Sequence, residues 1–144
     1  MKLTLIAVGK ARGAFGELCA EYVKRLSGEL VVREIVAANA RAETAAILAA
    51  IPQRARVVVL DERGHDLTSR ELADKITSWQ DQSVSEVAFI IGGADGLSDE
   101  VKARGDFVLG LGRKTWPHKL ARVMLIEQLY RAQKINSGHP YHRD

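Results

Sequence analysis

The strongest constraint on the fold is a regular alternation, in which short runs rich in β-branched residues are separated by segments with helical spacing. Leu3 to Val8, Leu30 to Val36, Val57 to Leu60, Val87 to Ile91 and Phe107 to Leu109 read as strands. Phe15 to Leu26, Ala42 to Ile51, Thr68 to Gln80 and Ser98 to Ala103 read as helices. The runs VVVL at 57–60 and VAFII at 87–91 are apolar at every position rather than at alternate ones. Strands of that kind are buried on both faces, as in a parallel sheet with helices on each side. The pattern therefore predicts an α/β fold: a mostly parallel sheet flanked by helices on both faces. Two helices carry recognisable starts: Thr68 with Glu71 makes a capping box, and Ser98 precedes the acidic first turn Asp99 and Glu100. The alanine-rich stretch Ala37 to Ala50 reads as a mobile or weakly packed connection.

A length of 144 residues, with 47% hydrophobic and 27% charged content, fits one globular domain spanning 1–144. No repeat or long linker divides it. The single cysteine, Cys19, cannot form an internal disulfide and reads as a small core residue. The first apolar run, Leu3 to Val8, is too short for a signal peptide or a membrane span, so a soluble, cytoplasmic protein with no membrane partner is expected.

Charge is unevenly placed. The formal total is only +3, but Leu111 to Asp144 holds seven Lys and Arg against Glu127 and Asp144 alone. His118, His139 and His142 lie there too, interleaved with Trp116, Tyr130 and Tyr141. Cations that hold phosphates beside rings that stack on bases point to a nucleic-acid partner. Within this region His118 to Lys134 reads as a helix whose apolar residues run most of the way round, so it must be buried on more than one side. A second copy of the chain is the simplest cover for the extra face, and a homodimer is expected.

Ligands of open α/β sheets bind beyond the carboxyl ends of the strands. Three turns fall there: Asp61 to Gly64, Gly92 to Gly96, and Gly110 to Thr115. Neither glycine cluster fits a dinucleotide fingerprint, and GGADG lacks the Lys-Ser/Thr of a P-loop. On consecutive strands they nonetheless describe a cleft shaped by backbone, with each cluster on its own readable as an ordinary tight turn.

The run IIGGADGLS (90–98), then TWPHKLARVMLIEQLYRAQKI (115–135) and the terminal HPYHR (139–143), resemble the SPOUT-class methyltransferases that modify pseudouridine in bacterial large-subunit ribosomal RNA. KLTLIAVGK at the start is similar to that family's first strand, and only Ala37 to Arg56 matches weakly. The resemblance implies a SPOUT fold with a C-terminal deep trefoil knot, a topology that periodicity alone does not predict. It further implies S-adenosylmethionine as methyl donor without a metal, and 23S rRNA within the 70S ribosome as partner. Carried over by position, the cofactor site is Leu60, Gly92, Gly93, Leu111, Gly112, Arg113, Lys114, Thr115 and Trp116. Gly112, Arg113 and Lys114 depart from the family, which usually has a small residue and then Met or Leu before the threonine.

Methyl transfer to N3 of pseudouridine requires alignment of acceptor, methyl carbon and sulfur, and a destination for the imide proton. With the resemblance, His142 is the expected base, Arg143 the group that holds a phosphate or a developing oxyanion, and Tyr141 a stacking or hydrogen-bonding residue. Without it, the same three residues read as a solvated tail. Glu127 is either an i,i+4 partner of Arg131 or an acid at the dimer seam, counted among the catalytic candidates. Arg122, Arg131 and Lys134 are the expected RNA contacts. His118, His139 and His142 lack a fourth ligand, so no metal site is expected; His118 reads as a helix start or a partner contact. A noncatalytic ribosome-binding or assembly module is the competing reading. A flavodoxin-like or receiver-type domain fits the alternation but not the basic, aromatic terminus.

Overall fold

The computed structural model describes residues Met1–Asp144. Five strands, β1 (Lys2–Val8), β2 (Leu30–Ile35), β3 (Arg56–Asp66), β4 (Glu86–Ile91) and β5 (Phe107–Gly110), alternate with α1 (Gly13–Arg25), α2 (Ala40–Ala50), α3 (Ser69–Asp81), α4 (Asp99–Ala103) and the closing α5 (His118–Asn136). The strands form one sheet in the order β2-β1-β4-β3-β5, and every neighbouring pair is parallel. Side-chain alternation divides the core between the two faces. Leu3, Leu5, Ala7, Val87, Phe89 and Ile91 meet α1, α3 and α5 on one side. On the other, Ile6, Val57, Val59, Ala88 and Ile90 meet α2 and α4. Each large aliphatic or aromatic side chain so buried stabilises the fold by about 1.5–3 kcal/mol relative to exposure.

The helix starts follow local chemistry. Thr68 accepts from the Glu71 amide at 3.1 Å and Ser98 from the Val101 amide at 3.3 Å, so both residues are caps just outside their helices. Asn39 caps α2 in the same way, accepting from Ala42 at 2.8 Å, and Ile47 and Ile51 anchor its other end in the core. The alanine-rich connection is thus corrected to a docked helix, because Ile47 falls on its sheet-facing side.

Two further readings change. Strand β3 does not stop at Leu60 but continues through the polar DERGHD segment, with an irregularity between Leu60 and His65, both of which register against Leu109 of β5. The His65 ring stacks on Phe107 at 5.0 Å. The end of β5 runs hard against this turn: a Cβ on Gly64 would stand 2.5 Å from the Leu109 carbonyl carbon and 2.6 Å from the Gly110 nitrogen. Only glycine permits that approach. Helix α5 is covered on its second side by α1 and α3 of the same chain, so its all-round apolar character does not itself call for a second copy.

Candidate active site

Because all five strands are parallel, the irregular segment of β3 after Leu60 and the turns that follow β4 and β5 gather at one end of the sheet, where β4, β3 and β5 are adjacent. They enclose a cavity of about 540 Å³. Eight of the nine expected cofactor residues line it: Leu60, Gly92, Gly93, Leu111, Gly112, Lys114, Thr115 and Trp116, while Arg113 points elsewhere and is exposed. Backbone shapes much of the wall. The GGADG segment is a tight turn closed by the Gly96 amide on the Gly93 carbonyl at 3.0 Å. Positive φ occurs at Gly96 (74°) and Gly112 (91°) but not at Gly92, where a Cβ would instead collide with the Gly96 carbonyl carbon at 2.8 Å.

The loop 111–116 is held at both ends of its span. Trp116 Nε1 donates to the Leu111 carbonyl at 2.8 Å, and Thr115 Oγ1 donates to Glu62 Oε2 at 2.7 Å, joining the β5 lip to the β3 lip. Asp61 is fixed by the Arg63 amide at 2.8 Å and by Lys102 at 3.2 Å. Those contacts, led by the backbone hydrogen bond, hold its carboxyl below the usual carboxylate range. Asp61, Glu62, Asp95 and Lys102 therefore add a charged rim to walls made by Leu60, Ile91, Leu109, Leu111 and Trp116. The turn positions were legible in the sequence. Lys102 was not, because it arrives from α4 through tertiary packing.

His118 also lines the cavity, although the sequence assigned it only to a helix start or a partner contact. Burial, followed by the charges of Lys119 and Arg122, lowers its pKa below the ordinary imidazole value. The ring is thus kept in the form that accepts a proton, and no hydrogen bond from the chain takes up its lone pair.

The C-terminal candidates are assembled elsewhere. Tyr141 donates to Glu127 Oε1 at 2.9 Å and its ring meets Tyr130 edge-on at 4.7 Å. Arg131 grips the same carboxylate oxygen through Nε at 3.0 Å and Nη2 at 2.6 Å. Its Nη1 lies 3.2 Å from His142 Nδ1, while His142 Nε2 lies 3.0 Å from Asp144, which Arg70 binds bidentately at 2.8 Å. Arginine can only donate, so the Nδ1 lone pair of His142 is occupied. The tail is therefore docked rather than solvated, apart from Arg143, which is exposed. None of Tyr141, His142, Arg143 and Glu127 lines the strand-end cavity. Glu127 lines a second, largely apolar cavity with Leu18, Tyr22, Leu67, Val123 and Met124.

Of the expected RNA contacts, Arg122 needs correction. Arg122 is 1% exposed, and its guanidinium donates to Glu34 at 2.5 Å and to the carbonyls of Val8 and Gly9 at 3.1 and 2.9 Å. It ties α5 to the ends of β1 and β2, and its one unpartnered donor, Nε, is buried out of reach of a phosphate. Arg131 is committed to Glu127, and Lys134 lies 5.3 Å over the Tyr130 ring. No cluster of three His, Cys, Asp or Glu side chains is placed to hold a metal ion, and no helix is long and apolar enough to cross a membrane.

The fold and the site define an α/β protein with a small-ligand pocket at the carboxyl ends of a parallel sheet. The sequence model described as predicted SPOUT methyltransferase matches residues 1–142, and the chain belongs to that family. It is 48% identical, over 99% of both chains, to the ribosomal RNA large subunit methyltransferase H of Rhodospirillum centenum. It is 50% identical, over 100% of both, to the protein of that name from Thiobacillus denitrificans. The fold is shared with a probable methyltransferase from Bordetella pertussis (TM-score 0.59, 15% identity, 91% of this chain and 95% of that one). A probable methylase family protein from Haemophilus influenzae has it as well (TM-score 0.59, 11% identity, 99% and 70%).

Proposed function

We propose that the protein transfers a methyl group from S-adenosylmethionine to N3 of a pseudouridine in 23S ribosomal RNA, acting as a homodimer on the assembled 70S ribosome in the cytoplasm. The observation that carries the reading is the backbone-walled cavity after β3, β4 and β5, in a chain whose full-length relatives are named ribosomal RNA large subunit methyltransferases. Its volume of about 540 Å³ suits a ligand of nucleoside size. The apolar residues Leu60, Ile91, Leu109 and Leu111 suit a purine, and the mixed rim of Asp61, Glu62 and Asp95 with Arg63, Lys102 and Lys114 suits a donor that carries charges of both signs. The passage of Leu109 and Gly110 against Gly64 is consistent with a threaded C-terminal part.

When bound, S-adenosylmethionine supplies an electrophilic methyl group and needs no metal. The chain's part is to align the acceptor, exclude water and take the imide proton. In this reading the Thr115–Glu62 bond and the Trp116 ring close the lip over the cavity, and the His118 ring accepts the proton from N3. The tail residues Tyr141, His142 and Arg143 do not reach this cavity within one chain, so their contribution is made to a second copy. Phe15 and Leu18, 39% and 46% exposed on α1 beside the cavity that Glu127 lines, are the apolar surface on which that copy docks.

The test is a calorimetric titration with S-adenosylmethionine, followed by transfer of labelled methyl to ribosomes lacking the modification. Saturable binding and one methyl per ribosome are expected. Binding to ribosomes with neither donor binding nor methyl transfer would replace this reading with that of a noncatalytic ribosome-binding module.

A further inference from the structure

Of the cations that the sequence offered to RNA, Arg122 and Arg131 are paired inside the chain and Lys134 lies over the Tyr130 ring, which leaves the question of which others are free. Three stand together at the end of β1. The turn after that strand carries Lys10 and Arg12, both exposed, and Lys119 at the start of α5 donates through Nζ to the Lys10 carbonyl. A Cβ on Gly9 would lie 3.2 Å from the same Nζ, so the two elements are in direct contact. None of the three has a carboxylate within ion-pair distance. The one acid nearby, Glu34, is already bound to the Ala11 amide at 2.7 Å and to Arg122 at 2.5 Å. Arg122 and Lys119 thus offset Glu34, and the charges of Lys10 and Arg12, on either side of Ala11 in the turn, face solvent.

Position gives this cluster its meaning. Strand β1 neighbours β4, and a Cβ on Gly93 would meet Val8 Cγ1 at 3.1 Å, so the end of β1 abuts the glycine turn of the cavity. His118, adjacent to Lys119, lines that cavity, and the Trp116 ring at its mouth is 39% exposed. A polyanion lying along Arg12, Lys10 and Lys119 therefore passes the opening. Phosphates spaced along a strand match three separated cations, and an exposed ring beside them suits an unpaired base.

We propose that Lys10, Arg12 and Lys119 form the phosphate-binding ledge that holds the RNA strand across the mouth of the cavity. This rests on the RNA methyl-transfer reading and adds to it the surface by which the strand is gripped.

The test compares the full-length K10Q/R12Q/K119Q protein with R54Q/R56Q/R104Q, which removes equal charge from the opposite, amino-terminal ends of the strands. The probe is protein-free large-subunit rRNA, titrated from low to moderate salt, with thermal melting to show that both variants fold. The ledge variant is expected to bind at least about tenfold more weakly, and its salt slope should fall by about 2, at roughly 0.7 per lost phosphate contact on a single strand. Its affinity for S-adenosylmethionine should be unchanged, and the control should retain wild-type RNA binding and slope. An unchanged slope in the ledge variant, or an equal loss in the control, would overturn the proposal. So would loss on intact ribosomes with normal binding to naked RNA, which would assign the ledge to an acidic protein. Wild-type protein that binds RNA through the ledge but transfers no methyl would instead sink the underlying reading and leave the surface standing.

Discussion

His118 and His142 show how little a residue's type says about its role until its lone pairs are located. His142 has the expected chemistry, but Arg131 and Asp144 occupy both ring nitrogens. His118 lines the cavity with its pKa lowered by burial and then by Lys119 and Arg122. A lowered pKa leaves the ring able to accept a proton down to more acid pH than free imidazole; base-dependent activity is present above the shifted value and lost below it. The acid limb of kcat/KM should therefore fall below about pH 6.5, the ordinary imidazole value. His118→Gln should lose about 100-fold in kcat together with that limb, while S-adenosylmethionine still binds. A variant with near-normal kcat and the same profile would remove His118 from the chemistry. Tyr141, expected to stack on or hydrogen-bond the base, gives its hydroxyl to Glu127, and burial together with that bond raises its pKa. At this scale the sequence was readable for local pairs such as Glu127 with Arg131, four residues apart. It was silent on Arg122, whose partner Glu34 is 88 residues away in the chain.

Helix α5 holds the site together through that distant pair. Burial tends to raise the Glu34 pKa, but the Ala11 amide and Arg122 outweigh it and leave the carboxyl below its usual range. Removing Arg122 strands Glu34 and two backbone carbonyls at the ends of β1 and β2. Arg122→Ala should cost about 2–4 kcal/mol in urea unfolding, because two carbonyls lose their donor while Glu34, 34% exposed, is partly solvated. Arg131→Ala, whose side chain is 25% exposed against 2% for Arg122, should cost less, about 1–2 kcal/mol. Equal costs for the two would contradict the interior role of Arg122. The elements themselves were legible wherever hydrophobicity dictated them: VVVL and VAFII had to be central strands. Beyond Leu60 the polar DERGHD segment gave no strand signal, because its pairing depends on β5 arriving alongside. The second cover of α5 was equally invisible, since an apolar face does not specify whether α1, α3 or another copy will meet it.

For the whole molecule, the sequence located the basic end correctly but not which of its charges are free. Helix α5 spends Arg122 and Arg131 internally, and one group of unpaired cations forms where the β1 turn meets Lys119, two segments more than a hundred residues apart in sequence. The apolar surface of α1 calls for its own test. Phe15→Glu with Leu18→Glu should convert a dimeric wild-type protein to monomer in analytical ultracentrifugation, without loss of helix content. A monomeric wild-type protein, or an unaltered dimer in the variant, would dismiss that face as the interface. The central claim, methyl transfer to pseudouridine in rRNA, is tested most directly by mass spectrometry of 23S rRNA from cells with and without the gene. One N3-methylpseudouridine should be present with it, absent without it, and restored by the wild-type chain. Identical modification in both strains would contradict the account.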